Sequence, residues 1–263
     1  MQSGIKSKMV NFVDFITVNN VTKTFKGFTD PVLLDLSLSI HQGEIICLFG
    51  PNGCGKSTFL SLLSGIDVEY NGQIFIDGKT PQLTKTGIVP QYCNDTLLSW
   101  RTVLENIAFP LEINGINRST REEQVRDFLK KANISLPLYL YPSQISGGQQ
   151  QITAILQALI QRPEFIILDE PFSSLDTKHV KDIQHAIITL WKLTNTTIIF
   201  TTHDLLNALF FSDRIIMLSP RPAKVLLESE ISLPRPRSYQ DPKLLDLFDD
   251  IQHKYIELGG LSY

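Results

Sequence analysis

Two stretches near the start of the chain alternate apolar and polar residues. They run from Phe15 to Phe25 and from Val32 to Ile40. A period of two residues is typical of half-buried antiparallel strands. Asn71-Gly72, just before the apolar run Gln73 to Ile76, is a hairpin-turn signal. We therefore predict that the N-terminal part of the chain is a β subdomain.

From about residue 95 to residue 160 the apolar spacing changes to that of helices. One stripe with i, i+3, i+4, i+7 spacing is formed by Val125, Phe128, Leu129 and Ala132. Ser119/Glu122 and Thr120/Glu123 are both candidates for the capping box that opens this helix. This region is predicted to be an inserted helical subdomain.

The second half of the chain alternates buried strands with amphipathic helices. Phe165 to Leu168, Thr196 to Thr202 and Arg214 to Leu218 have the composition of strands, and Val180 to Leu190 has helical spacing. Such alternation favours a parallel sheet in an α/β layer. A last helix is predicted after Asp241, which is followed by a proline at the first helical position. Its predicted apolar stripe is Leu244, Leu245, Leu247, Phe248 and Ile251.

The clearest chemical motif lies between an apolar strand, Glu44 to Phe49, and a helix that continues from Thr58. It spans Gly50, Pro51, Asn52, Gly53, Cys54, Gly55, Lys56 and Ser57, and it fits G-x-x-x-x-G-K-[ST]. Glycines let backbone N–H groups wrap an anion, and the helix N-terminus favours phosphate. Lys56 is expected to reach the β- and γ-phosphates, and the Ser57 hydroxyl to ligate Mg²⁺. The chain is therefore predicted to bind a nucleoside triphosphate.

Two further segments point to the same chemistry. Asp169 and Glu170 close an apolar strand, where Asp169 is expected to hold Mg²⁺ and Glu170 to polarise the attacking water as general base. Ser146 is a good N-cap for a helix that starts with Gly147 and Gly148, and Gln149 completes a capping box. The bare N–H groups of that helix form a second candidate anion site. Two half-sites in one chain suggest that two chains share each nucleotide.

Composition limits the alternatives. The chain has 263 residues, a hydrophobic fraction of 43% and a net charge of −3, which gives no reason to expect a nucleic-acid partner. Cys47, Cys54 and Cys93 are too scattered for a disulfide framework or a metal site, and Cys54 is either a small filler of the phosphate loop or a modifiable thiol. No apolar stretch is long enough to span a membrane, and the first 15 residues do not have the pattern of a signal peptide.

Taken in order, the motifs resemble those of the ATPase subunits of ATP-binding cassette (ABC) transporters, over about residues 15–230. The phosphate loop through Thr58 is similar to the family's Walker A motif, and Asp169-Glu170 to Walker B with its glutamate. Gln91 falls at the Q-loop, Ile145 to Gln149 at the signature LSGGQ, Ser174-Leu175-Asp176 at the D-loop and His203 at the switch histidine. Phe25 falls where the family has an aromatic that stacks on adenine, with Phe28 as the alternative.

The resemblance implies a head-to-tail dimer with two ATP–Mg²⁺ at the interface, the second cassette being an identical or a different chain. Gln91 would sense Mg²⁺ and the attacking water, and His203 would contact the γ-phosphate. The Ser146-Gly147-Gly148 helix of one chain would close over the ATP bound by the other. The family partners are a membrane permease and, indirectly, a solute-binding protein, with the ATPase on the cytoplasmic face of the inner membrane.

Leu97 to Ile107 resembles LLPWRTVLENV, a stretch typical of importer ATPases for nitrate, sulfonates and taurine, and Ser219 to Pro222 resembles the same subfamily. The resemblance places Gln91, Tyr92, Leu97, Leu98, Trp100 and Arg101 at the permease-docking surface. The helix after the signature lacks two cations that most members carry, which leaves the rate of turnover open. Two rival functions stay open: a cassette ATPase without a permease, and a nucleotide-regulated binding subunit with weak catalysis.

The predicted fold is α/β, a P-loop NTPase core with an N-terminal antiparallel β subdomain and an inserted α-helical subdomain. Residues 1–14 form a leader, 15–94 the β subdomain with the phosphate-loop part of the core, and 95–161 the helical subdomain with the signature. Residues 162–232 are the second part of the core, and 233–263 a C-terminal helical extension.

Overall fold

The structure is a computed structural model that describes residues 14–92, 96–173 and 177–261, with the backbone alone for 177–179. Its first sheet is formed by β1 (Asp14–Lys23), β2 (Leu33–His41) and β4 (Asn71–Ile76), in the order β2-β1-β4. Both strand pairs are antiparallel. The alternating pattern therefore correctly predicted antiparallel β structure at the start of the chain.

The predicted turn at Asn71-Gly72 is wrong, because both residues lie inside β4. Gly72 has φ +99°, and a Cβ at this position would lie 2.5 Å from the carbonyl oxygen of Asn20. The glycine is thus required by close approach of two backbones within the sheet. The turn lies after the strand, at Asp77-Gly78, where both residues have positive φ and Ile76 pairs with Lys79.

The second sheet carries the site. It contains β3 (Ile45–Phe49), β5 (Thr86–Val89), β6 (Phe165–Leu168), β7 (Thr197–Thr202), β8 (Arg214–Leu218) and β9 (Val225–Glu230). The strand order is β5-β6-β7-β3-β8-β9, and only the edge pair β8–β9 is antiparallel. The carboxyl ends of β3, β5, β6 and β7 therefore lie along one edge of the sheet, which is where ligands bind in open α/β folds.

Seven α-helices occur among the described residues. They are α1 (Lys56–Leu63), α2 (Val103–Ile113), α3 (Arg118–Ala132), α4 (Gly147–Leu159), α5 (Thr177–Thr194), α6 (Leu205–Phe211) and α7 (Pro242–Glu257). The predicted capping boxes of α3 are wrong, because Asn117 caps this helix and accepts from the Thr120 N–H at 3.0 Å. None of the helices described is long and apolar enough to cross a membrane.

The β3 strand is buried on both faces. Ile45, Cys47 and Phe49 belong to an apolar cluster shared with α2 to α7, whereas Ile46 and Leu48 pack in a second cluster with the first sheet and α1. The six-stranded sheet is thus a middle layer. The helices of residues 95–161 share one apolar cluster with this sheet, and the division of the chain into subdomains stays a prediction.

The C-terminal segment packs onto the core. Asp241 caps α7 as predicted, accepting from the Lys243 N–H at 3.0 Å. Leu244 and Ile251 are buried, but Leu245 is exposed, so its place in the predicted stripe is wrong. Tyr255, which the stripe omitted, is buried and packs edge-on against Phe49 with ring centroids 5.5 Å apart. The last helix therefore supports the strand that leads into the phosphate loop.

Candidate active site

A cavity of about 420 Å³ lies at the carboxyl ends of the central strands. It brings together most of the predicted site residues: Phe25, Asn52, Gly53, Gly55, Lys56, Ser57, Thr58, Gln91, Asp169, Glu170 and His203. Val32 and Arg221 also line it. Residues from well-separated parts of the chain thus converge on one open pocket.

The phosphate loop closes tightly against β2. Gly55 has φ +126°, and a Cβ there would lie 2.9 Å from Leu33 Cδ2 and 3.0 Å from Val32 Cγ1. Both the conformation and the lack of space require glycine. The buried Lys56 ammonium donates to the carbonyl oxygens of Gly50 at 2.7 Å and Pro51 at 3.2 Å. The cation is therefore held inside the loop, at the start of α1.

Cys54 lies behind the loop rather than in the cavity. It is buried, and a Cβ on Gly50 would lie 3.0 Å from its Sγ. Burial raises the pKa of the Cys54 thiol, and the pKa of the buried Cys47 rises well above its usual range for the same reason. Since the thiolate is the reactive form, the structure favours Cys54 as a packed filler over a modifiable thiol. Cys93 lies outside the described residues.

Asp169 is fixed between two hydroxyl groups. Ser57 Oγ donates to Asp169 Oδ2 at 2.9 Å, and Thr201 Oγ1 donates to Oδ1 at 2.5 Å. The Thr201 hydroxyl also accepts the Glu170 N–H at 2.8 Å. A serine hydroxyl next to one carboxylate is a hard oxygen pair, the kind that binds Mg²⁺ together with phosphate and water. The residues present therefore fit a magnesium ion.

Glu170 is buried and lies between two nitrogen groups. Its Oε1 is 3.7 Å from Lys56 Nζ and 3.1 Å from His203 Nδ1. Its φ of +46° is in the left-handed region, which is costly for a residue with a Cβ. The two adjacent carboxylates have different partners, because Asp169 is bound by hydroxyl groups and Glu170 lies next to nitrogen groups.

Gln91 reaches the same turn from the end of β5. Its Nε2 donates to Ser173 Oγ at 3.3 Å, and the Ser173 hydroxyl donates to the carbonyl oxygen of Glu170 at 3.0 Å. One serine thus joins the predicted water-sensing glutamine to the backbone of the predicted base. The predicted D-loop, Ser174-Leu175-Asp176, lies outside the described residues.

Of the two candidate aromatic platforms, Phe25 lines the cavity, whereas Phe28 lines an adjoining one. Phe25 is 40% exposed, and the Lys23 ammonium lies 5.0 Å from its ring centroid. Lys23 is itself fixed by Asp67 at 2.8 Å and by the Glu69 carbonyl oxygen at 2.6 Å. The geometry therefore favours Phe25, with an open face, as the base platform.

The predicted second anion site does not face this cavity. Ser146 caps α4 with Gln149 in a reciprocal box, in which the Ser146 N–H donates to Gln149 Oε1 at 3.0 Å and the Gln149 N–H donates to Ser146 Oγ at 3.3 Å. Ser146 and Gly147 are exposed, whereas Gly148 is buried. Within the described chain, this helix start is thus a separate surface feature.

Sequence reasoning missed Thr201, Ser173 and Arg221 as parts of the site. Thr201 lies in a β-branched strand, where threonine is expected for its shape alone. Ser173 offers no local signal. Arg221 was noted only as part of a subfamily-like segment, and its place in the cavity depends on a strand pairing that no motif shows.

Comparison with known proteins agrees with this geometry. The family model described as ABC transporter matches residues 33–173. The aliphatic sulfonates import ATP-binding protein SsuB of Bacillus cereus is 34% identical over 94% of this chain and 97% of its own length. The nitrate import ATP-binding protein NrtD of Synechococcus elongatus is 35% identical over 89% of this chain and 88% of its own.

A solved structure is also similar. It is the dimeric post-hydrolysis state of the ATP-binding cassette MJ0796 bound to ADP and Pi, with 31% identity and a TM-score of 0.70, covering 83% of this chain and 100% of that one. Sequence, fold and cavity lead to one assignment: the chain belongs to the ABC transporter family and is an ATPase of that family.

Proposed function

We propose that this ATPase hydrolyses ATP–Mg²⁺ with Glu170 as general base and drives a solute importer. The observation that carries the catalytic part is the position of the Glu170 carboxylate, 3.7 Å from the phosphate-loop lysine and 3.1 Å from His203. The Glu170 carboxylate therefore lies next to the position at which Lys56 is proposed to bind the terminal phosphate. It can take a proton from a water in line with that phosphate.

Each residue around the base has a distinct task. Lys56 binds the β- and γ-phosphates, and the Gly53, Gly55 and Thr58 backbone surrounds them. Ser57 and Asp169 hold Mg²⁺, with Gln91 next to it. When bound, the metal neutralises charge on the transferred phosphoryl group. His203 orients the Glu170 carboxylate and contacts the γ-phosphate.

A second cassette completes the site. The exposed start of α4, at Ser146 and Gly147, carries N–H groups that are suited to a phosphate and that have no anion in their own chain's cavity. In a head-to-tail dimer each chain would place this helix over the partner's ATP. The dimeric, nucleotide-bound state of MJ0796 supports a dimer of cassettes.

The transport role is inferred from the relatives and from one surface. SsuB and NrtD are named as import ATP-binding proteins for aliphatic sulfonates and nitrate, and this chain is proposed to serve such a small-anion importer. Trp100 is 71% exposed and Tyr92 61%, so both are free to contact a permease. A solute-binding protein would complete the system, and the chain would lie at the cytoplasmic face of the inner membrane.

The docking surface differs in two residues from the sequence expectation. Leu97 is buried in the apolar core and is not available to a partner. Arg101 is bound to Glu112 by two hydrogen bonds of 2.7 and 3.2 Å, and it stacks 4.8 Å from the Phe109 ring centroid. Its guanidinium stabilises the helical region. Trp100 is therefore the better candidate for a permease anchor.

The proposal is tested with Glu170→Gln, which keeps the side-chain shape but cannot accept a proton. We expect phosphate release to fall by roughly 10²–10⁴-fold, with ATP binding retained and a dimer accumulating on size-exclusion chromatography in ATP–Mg²⁺. Glu164→Gln, at the opposite end of β6, is the matched control. A parental rate in Glu170→Gln would exclude Glu170 as the base, and a parent chain without ATPase activity would favour the nucleotide-regulated binding subunit.

A further inference from the structure

Arg221 is an exposed residue that lines the nucleotide cavity. Over residues 14–92, 96–173 and 177–261, no hydrogen bond or ion pair engages its guanidinium. Asp30 lines the adjoining cavity with Arg221 but does not form an ion pair with it. An unpaired cation therefore borders the pocket where a polyanion binds.

Arg221 lies in the loop of residues 219–224, which is held by hydrogen bonds of the Ser219 hydroxyl. Ser219 Oγ lies 2.8 Å from the Pro220 carbonyl oxygen and 2.9 Å from that of Pro222, and it accepts the Lys224 N–H at 3.0 Å. Two prolines restrict the backbone further. Arg221 thus extends from a loop with little freedom.

Both ends of this loop lie against the phosphate loop. Leu218, just before it, is so near Gly50 that an added Cβ there would lie 3.3 Å from Leu218 Cβ. At the other end the Ala223 N–H donates to the Val32 carbonyl oxygen at 2.8 Å. Val32 in turn contacts Gly55, where an added Cβ would lie 3.0 Å from its Cγ1. Arg221 is therefore held alongside the phosphate loop.

The same network fixes the base platform. The Val32 N–H donates to the Lys23 carbonyl oxygen at 2.7 Å, two residues before Phe25. The Val32 backbone is thus hydrogen-bonded both to the segment that carries Arg221 and to the segment that carries Phe25. Arg221 therefore lines the same cavity as the base platform and the phosphate loop, and its loop is bonded to the segment that leads to Phe25.

The charged side chains that line the cavity differ in how far their partners engage them. Asp169 and Glu170 contribute two carboxylates, and the Lys56 ammonium is surrounded by two carbonyl oxygens and Glu170. Arginine binds phosphate oxygens through paired N–H donors. The remaining guanidinium is thus suited to a phosphate that Lys56 does not reach.

We propose that Arg221 binds the nucleotide of its own chain at the α-phosphate, the phosphate nearest the nucleoside. This inference rests on the proposed function, since it assumes a nucleoside phosphate in the cavity. It adds a binding residue from the segment after β8, and it gives Arg221 a role that depends on charge and not on the identity of the base.

The test is calorimetric titration of the full chain with ADP–Mg²⁺ and with GDP–Mg²⁺. Neither nucleotide carries a γ-phosphate, so hydrolysis does not interfere with the measurement of binding. Arg221→Ala should weaken both by about tenfold, the usual effect of losing a charged hydrogen bond, and should reduce the salt dependence of binding. Arg221→Lys should restore part of the affinity. Lys224→Ala, an exposed cation three residues on, should bind like the parent.

Parental affinity of Arg221→Ala for both nucleotides would overturn the proposal. A loss for only one of the two bases would also overturn it, because it would place the guanidinium at the base edge. Lys56→Ala, measured in parallel, tests the proposed function separately from the role of Arg221. If the parent and Lys56→Ala bind nucleotide equally well, the phosphate loop is not the nucleotide site and the proposed function fails as well. Unchanged melting of Arg221→Ala shows that the loss is local.

Discussion

His203 Nδ1 lies 3.1 and 3.2 Å from the two carboxylate oxygens of Glu170, so one imidazole nitrogen spans both oxygens. The residues follow neighbouring parallel strands, β6 and β7. The imidazole is 42% exposed, whereas the glutamate is 10% exposed. The histidine therefore joins the buried base to the open side of the cavity, where the γ-phosphate is proposed to bind.

Removing this imidazole should impair hydrolysis more than binding. His203→Ala leaves Glu170 in place but without its orienting partner, so we expect phosphate release to fall on the order of 10²-fold. ATP affinity should stay near that of the parent, because Lys56 is untouched. Steady-state kinetics and equilibrium titration separate the two effects. His185→Ala, on the exposed face of α5, is the control histidine, and equal rates for both variants would contradict the assignment.

Gly55 is predicted to tolerate no side chain. Gly55→Ala introduces a Cβ that meets Leu33 and Val32 at a φ of +126°, and strain of this kind costs on the order of 1–3 kcal/mol. We expect both a lower melting temperature and loss of nucleotide binding. Gly53→Ala is the comparison, since its φ is also positive but nothing lies within 4 Å of the added carbon. A larger loss of stability in Gly53→Ala would show that the packing argument is wrong.

Trp100→Ala should remove the permease without disturbing the fold. The side chain is 71% exposed, so melting temperature and basal ATPase activity are expected to stay unchanged. As an interface anchor it should contribute about 2 kcal/mol or more, seen as loss of the cognate permease on co-purification from detergent. Ile66→Ala, at an equally exposed apolar position, should retain the permease. If Trp100→Ala retains it too, the docking surface lies elsewhere.

The pair Lys23–Asp67 predicts a pH-dependent contribution to stability. Burial alone would raise the pKa of Asp67, but the Lys23 hydrogen bond and the Glu69 N–H outweigh it and lower the pKa below its usual 3.8. A depressed carboxyl pKa stabilises the fold above pH 3.8, and this contribution is lost as the pH falls through the folded-state value. Asp67→Asn should therefore cost about 1–3 kcal/mol at pH 7.

Urea unfolding across pH 7 to 3 measures this effect. The difference between Asp67→Asn and the parent should shrink as the pH falls below 3.8 towards the lower folded-state pKa, because the unfolded chain takes up the proton first. Asp127→Asn removes an exposed i,i+4 pair with Lys131 and should cost only a few tenths of a kcal/mol at any pH. A pH-independent difference for Asp67→Asn would contradict the ion-pair explanation.

Local patterns predicted the parts of the site that are close in sequence. The phosphate loop and α1 follow directly from Gly50 to Ser57, because one short motif specifies strand, loop and helix. Asp169 and Glu170 were identified for the same reason, since an apolar strand ends just before them. His203 and Gln91 were identified through the order of motifs rather than through any signal of their own.

Residues that depend on distant pairing were missed. Thr201 reaches Asp169 only because β6 and β7 are neighbours, and Arg221 lines the cavity because Ala223 pairs with the start of β2. At Gly72 the local sequence predicted a turn that does not form. The glycine is instead required because the backbone of the neighbouring strand lies too close for a Cβ. The predicted stripe of the last helix ended at Ile251 and left out Tyr255, one turn further on, whose hydroxyl donates to the Leu218 carbonyl oxygen at 2.6 Å in the core.

The position of β3 in its sheet has a consequence for synthesis of the protein. Residues 45–49 leave the ribosome early, but their two neighbouring strands are residues 197–202 and 214–218. The strand pairs of the first sheet, by contrast, all form within residues 14–76. A nascent chain therefore carries its phosphate-loop motif through most of translation without the strand pairs that hold it, since such distant contacts form late. Nucleotide binding on the ribosome should begin only once the β8 segment has emerged.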